Sequence, residues 1–129
     1  MKLAFLDTSC LAAIALNERN AATMSRKLAA FDRLAASPLL EAELRAVLHR
    51  EGHRAEAQVQ PWLSPMLWVS PDRPLSAEIA MVFAAGYVRG ADCWHLATAL
   101  YFSPDAEDIS FLTLDERQRN VAKTLGFRI

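Results

Sequence analysis

Ile109-Ser110-Phe111-Leu112-Thr113-Leu114-Asp115-Glu116-Arg117 is the stretch on which the fold turns. An apolar run, 109–114, stops at an aspartate. A stretch of helical character then begins at once and is closed by Gly126. Leu3-Ala4-Phe5-Leu6-Asp7-Thr8-Ser9 repeats the arrangement near the N-terminus, where Thr8 or Ser9 is placed to cap a helix over 10–16. The segments between these strands alternate in the same way. Helices are expected over 21–34 and from Pro38 to Gly52, the latter with Leu39, Leu40, Leu44, Val47 and Leu48 on one stripe. Further helices are expected over 54–63, through Leu75, Ile79, Val82 and Phe83 up to Gly86, and over 91–102, which is apolar nearly all round. Short strands are expected over 35–37 and 66–69, with a last edge strand over 127–129. Strands separated by helices imply a parallel sheet covered on both faces. The expectation is one three-layer α/β/α domain over 1–129, with a central parallel sheet of four to five strands.

Composition narrows the class. The chain has 129 residues, 53% of them hydrophobic, enough to bury a core without disulfides or structural metal. Lys and Arg number 14 against 15 Asp and Glu, so net charge says nothing about a nucleic-acid partner: acids gathered in one site leave a comparatively basic remainder. Cys10 and Cys93 lack metal-type spacing and read as small buried residues in a reducing compartment. Asp7 interrupts the first apolar run, which argues against a signal peptide. No run is long and charge-free enough to span a membrane. A cytoplasmic protein is expected, with no membrane association.

Four carboxylates stand out. Asp7 and Asp115 follow the two best strands, and ligands of open parallel sheets bind beyond the carboxyl ends of strands. The plain alternative for each is a turn or helix cap, and Asp115 with Gln118 resembles a capping box. Asp92 is the only acid in the buried-looking stretch 90–104. Unpaired there, it would cost several kcal/mol or take up a proton. An N-cap role would excuse it, and a cation would excuse it better. Glu43 lies nearer than Glu41 to the apolar stripe of its helix at about 100° per residue. Glu41 therefore reads as a solvated charge, and Glu43 as a site residue or a boundary residue paired with an Arg. Carboxylate-only clusters repel each other but suit hard cations such as Mg²⁺ or Mn²⁺, which neutralise phosphate and acidify water.

Taken in order, Leu6-Asp7-Thr8-Ser9, Ala42-Glu43-Leu44, Asp92-x-x-His95-Leu96-Ala97-Thr98-Ala99 and Phe111-Leu112-Thr113-Leu114-Asp115-Glu116-Arg117 resemble the PIN-domain family over the whole chain. More narrowly, they resemble its VapC-type ribonuclease toxins of bacterial toxin–antitoxin pairs. The resemblance implies a sheet of order 3-2-1-4-5 and an Mg²⁺- or Mn²⁺-dependent endoribonuclease. Asp7, Glu43, Asp92 and Asp115 would be its catalytic and metal-holding acids, and Thr8, Ser9 and Thr113 would support them by hydrogen bonds. Glu43 matches the glutamate of the family's Ser-x5-Glu-Leu pattern, counted from Ser37. The partners implied are an RNA substrate and a cognate antitoxin whose tail pushes a basic side chain towards the acids. Cys10, Cys93 and Trp94 depart from the plainer apolar residues of the pattern without removing any acid. His95 reads as a helix-face histidine packed near the site.

Other functions compete with this one. An aspartyl-phosphate phosphatase also places Asp after its first strand, but it wants a second Asp where Ser9 stands. A catalytically inactive PIN-like binding module and a PIN-type nuclease acting on another nucleic acid stay open. A homodimer is expected as well. The apolar segments 10–16 and 39–48, with Trp62, Trp68 and Trp94, exceed what one small sheet needs, although Trp68 on its strand reads as core.

Overall fold

β1 (Leu3–Leu6) sits inside a four-stranded parallel sheet, flanked by β2 (Arg33–Ala36) and β4 (Ser110–Leu112), with β3 (Leu67–Trp68) outside β2. The computed structural model describes residues 1–52 and 56–129. A single parallel bridge from Ser110 to Arg128 continues the order beyond β4. The edge strand expected over 127–129 is thus one bridge long.

Alternation along the strands sorts their side chains onto two cores. Phe5, Ala35 and Phe111 face one side, and Ala4, Leu6, Ala36 and Leu112 face the other. The first side is covered by α5 (Ser76–Ala85), α6 (Gly90–Phe102) and α7 (Glu116–Leu125). The second is covered by α1 (Thr8–Ala15), α2 (Ala21–Ala29), α3 (Pro38–Glu51) and α4 (Glu56–Leu63). The result is the three-layer α/β/α arrangement. Phe5 and Phe111 stack with ring centroids 6.0 Å apart, and Phe127 packs on Phe111 at 5.6 Å, so aromatic burial fixes β1 against β4. Among the described residues no helix is long and apolar enough to cross a membrane.

Several boundaries differ from expectation, each for a local reason. α2 ends at Ala29 rather than 34, because residues 33–36 pair with β1. The Asp32 carboxylate accepts the Lys2 N–H at 2.6 Å, which stops the helix and starts the strand. Sheet pairing overrides the helical periodicity there. The expected start of α4 at 54 falls on residues 53–55, outside the described residues. Phe83, expected on the inner stripe of α5, is 46% exposed.

The apolar segments that prompted the dimer are largely core. Cys10, Leu11, Ile14, Leu40, Leu44 and Leu48 are buried, and Trp62, Trp68 and Trp94 pack against the two cores. Leu39, Val47 and the three tryptophans keep part of their surface exposed. The large apolar side chains that do face solvent include Met81, Phe83 and Tyr87, on or just after α5.

Candidate active site

The parallel register aligns Leu6 with Leu112, so Asp7 and Thr113 emerge side by side at the carboxyl ends of β1 and β4. The chain leaves β1 towards β2 on one side and comes back to β4 on the other. This is the point where crossovers diverge and a crevice opens.

Asp7 is buried, and it caps α1 itself, in place of the Thr8 or Ser9 cap expected from sequence. Its Oδ1 accepts from Ser9 N at 3.1 Å and Ser9 Oγ at 2.6 Å, and its Oδ2 accepts from Thr113 Oγ1 at 2.6 Å. The same hydroxyls also accept: Ser9 Oγ from Leu114 N at 2.9 Å, and Thr113 Oγ1 from Asp115 N at 3.0 Å. Ser9 and Thr113 therefore tie the two strand ends to the carboxylate between them. Burial pushes the Asp7 carboxyl above its ordinary range. The hydrogen bonds from Ser9 and Thr113 and the nearby His95 oppose this, while the charge of Asp92 adds to it. Among the described residues no Lys or Arg pairs with Asp7.

Glu43 reaches the same region from the second turn of α3. Ser37 starts that helix, its Oγ accepting from Leu39 N at 3.1 Å and from Trp94 Nε1 at 3.2 Å. One hydroxyl thus caps α3 and docks it on α6. Ser37→Ala should cost about 1–2 kcal/mol through the lost cap and the orphaned indole N–H. Chemical denaturation checks this; an unchanged midpoint would remove Ser37 from the account of how Glu43 is positioned. Glu43 Oε1 accepts from Thr8 Oγ1 at 2.6 Å and lies 2.7 Å from His95 Nε2. Its partner is this buried histidine rather than the Arg that the plain reading foresaw. Glu41 pairs with Arg45 at 2.9 Å on the helix exterior, as a solvated charge should.

Asp92 lies in the first turn of α6 rather than at its cap, and it is not unpaired: Arg89 Nε donates to it at 3.2 Å. The spacing of three residues could have flagged Arg89 from sequence. Asp115 caps α7, accepting from Gln118 N at 2.7 Å. The reciprocal half of the capping box is replaced, because buried Gln118 sends its Nε2 to the Asp92 carbonyl oxygen at 3.2 Å and so joins α7 to α6.

All four acids line one cleft of about 210 Å³, together with Thr8, Ser9, Arg89 and His95. Sequence reasoning placed His95 near the site but missed its direct hold on Glu43; it missed Arg89 altogether, and it read Gln118 as half of a capping box without its reach to Asp92. Cys10 and Cys93 are buried, and burial pushes both thiols up, which leaves them unsuited to nucleophilic work. Among the described residues no three His, Cys, Asp or Glu side chains close into a ready-made ligand cage. Each carboxylate is held instead by its own neighbour, the arrangement that mutual repulsion favours. The donor set still fits a hard cation. Its free oxygens are carboxylates, Asp7 is buried without a cationic side chain, and Mg²⁺ needs only one or two carboxylates beside water and substrate oxygens.

Comparison with curated proteins finds no match. The sequence model of the PIN domain, by contrast, matches residues 4–124. That span takes in β2, β3 and β4, all of β1 but Leu3, all four acids and the hydroxyls that hold them, and the chain belongs to the PIN domain family.

Proposed function

We propose that this protein is a divalent-metal-dependent endoribonuclease and the toxin of a toxin–antitoxin pair. PIN domains are generally nucleases. The observation that carries the reading is the meeting of Asp7, Glu43, Asp92 and Asp115, drawn from four separate elements, around one cleft at the switch point of the sheet. When bound there, Mg²⁺ or Mn²⁺ would neutralise phosphate charge and make water more acidic. Asp7 and Asp92 would hold the ion, with Glu43 and Asp115 completing the oxygen set. Ser9 and Thr113 keep the Asp7 carboxylate oriented, and Thr8 and His95 do the same for Glu43. Arg89, exposed at the rim, supplies positive charge to a phosphate that approaches four acids.

The same reading has the protein act in the cytoplasm. A short antitoxin would offer a basic side chain to the same carboxylates, so inhibition should compete with the metal. A homodimer belongs to the same reading, now supported by exposed Met81 and Phe83 on α5. Light scattering at tens of micromolar checks it, and a strictly monomeric mass would sink it.

The growth test addresses the toxin. Expressed alone, the wild-type chain should arrest growth, and Asp7→Asn should not. Equal effects from both, or from neither, would remove the toxin role. Cleavage of purified RNA and single-stranded DNA in Mg²⁺ or Mn²⁺ then decides the activity. Cleavage of neither would leave a PIN-like binding module, and cleavage of DNA alone would correct the substrate.

A further inference from the structure

A second, wider groove of about 840 Å³ adjoins the acid cleft, and Asp115 lines both. Its walls carry Tyr87, Arg117, Asn120 and Thr124. Tyr87 is 64% exposed, an unusual setting for so large a ring. The Arg117 guanidinium lies 5.5 Å from the Tyr87 ring centroid, and Arg117 is itself exposed. Glu116 also lines the groove, so it is not uniformly basic.

The segment between α5 and α6 explains the geometry. Gly86-Tyr87-Val88-Arg89 has no regular secondary structure, and its side chains differ sharply in exposure. Val88 is buried in the core beside α6, while Tyr87 and Arg89 on either side of it are exposed. Tyr87 serves the wide groove and Arg89 the acid cleft. Two neighbours of one anchored residue thus present an aromatic face and a guanidinium to adjoining depressions. Gly86 lets this segment approach α7 closely, since a Cβ there would lie 3.0 Å from Val121 Cγ2.

We propose that the groove at Tyr87 and Arg117 is a binding subsite for single-stranded nucleic acid, holding the strand on one side of the bond placed at the acid cleft. The proposal rests on the nuclease reading for its position and on the groove's own chemistry for its ligand. An exposed ring with an arginine on its face is the pairing that stacks a base and contacts a phosphate. Asn120 and Thr124 add neutral hydrogen-bonding groups without selecting one base. Continuity with the cleft through Asp115 and the 86–89 segment, and the charged and polar side chains of Glu116, Arg117, Asn120 and Thr124 around the ring, favour the strand over a second protein, which would need a broad apolar face.

The test uses a fluorescent single-stranded RNA of about ten nucleotides and, separately, bis(p-nitrophenyl) phosphate, a diester too small to reach the groove. Binding is read in the Asp7→Asn background, which prevents cleavage, and turnover in the otherwise wild-type chain. Tyr87→Ala should weaken oligonucleotide binding at least about fivefold, the low end for one lost stacked base, and raise KM by a similar factor with kcat little changed. Tyr87→Phe should bind as Tyr87 does. Arg117→Ala should weaken binding and flatten its salt dependence. None of the three should alter hydrolysis of the small diester. Unchanged RNA affinity in Tyr87→Ala overturns the subsite, as does a Phe variant as weak as the Ala variant. Loss of dimer mass with RNA affinity intact also overturns it, making the face an interface between copies. If the small diester is hydrolysed while RNA binding ignores Tyr87, the subsite fails and the nuclease stands. If nothing is hydrolysed but RNA binding depends on Tyr87, the nuclease fails and the subsite stands.

Discussion

Asp7→Asn, Glu43→Gln and Asp92→Asn should each lower RNA hydrolysis by at least about a hundredfold, the loss typical when a metal ligand or its supporting shell is removed. Glu41→Gln should leave the rate near wild type. The contrast between the two glutamates is the sharpest control. Both stand on α3 two residues apart, but Glu43 meets Thr8 and His95 inside the cleft, whereas Glu41 pairs with Arg45 outside it. Asn keeps the α1 cap, since its amide oxygen can accept from Ser9 while its NH2 donates to Thr113 Oγ1, whose proton can turn to Gln118 Oε1; a far-ultraviolet circular dichroism spectrum like wild type separates lost activity from lost fold. Single-turnover rates in Mg²⁺ check the series. Near wild-type cleavage by Asp7→Asn would refute the four-acid site, and a large loss in Glu41→Gln would show that charge on α3, rather than position, matters. Asp115→Asn keeps the cap of α7, so its effect on rate reports the charge alone.

The second large effect is on stability. Saturating Mg²⁺ or Mn²⁺ should raise Tm by on the order of 10 °C at a hundred times Kd, from mass action alone. The sign of the pH dependence follows from Asp7, whose carboxyl is raised above 3.8 in the fold, chiefly by burial. Between the unfolded and the folded pKa the native state holds the extra proton, so metal-free stability falls as pH rises through that window. A bound cation favours the ionised form and should counter the loss. Asp7→Asn should therefore melt higher than wild type without metal at neutral pH, because it removes a carboxylate that burial disfavours. It should also gain less from Mg²⁺. Zn²⁺ should not be required, since the cleft offers carboxylates rather than thiolates. A melting curve indifferent to millimolar Mg²⁺ and Mn²⁺ would refute the ion site, whatever the activity assay shows.

Much of this was legible in the chain because the signals were local. β1 and β4 are short apolar runs that each lead to an aspartate, and Gly52, Gly86 and Gly126 stop their helices where a backbone without a side chain is useful. The order of elements followed, and with it the parallel sheet between two helical layers. Helical angle alone separated Glu43 from Glu41. Boundaries set by pairing were not legible. Residues 30–34 continue a helical pattern, yet β1 draws 33–36 into the sheet.

The sequence by itself determined the alternation of strand and helix, the burial of Cys10 and Cys93, and the acids worth suspecting, because periodicity and capping act within a few residues of chain. Only the tertiary structure decided what those acids touch. Glu43 meets His95 across 52 residues, Asp7 meets Thr113 across 106, and the Gln118 side chain reaches the Asp92 carbonyl across 26 while its N–H stays in the α7 cap. Tyr87 and Arg117 likewise come together only because α5 and α7 pack on the same face of the sheet. Such contacts are chosen by layer packing and strand register, which bring distant segments within hydrogen-bonding reach and leave no mark on the neighbouring sequence.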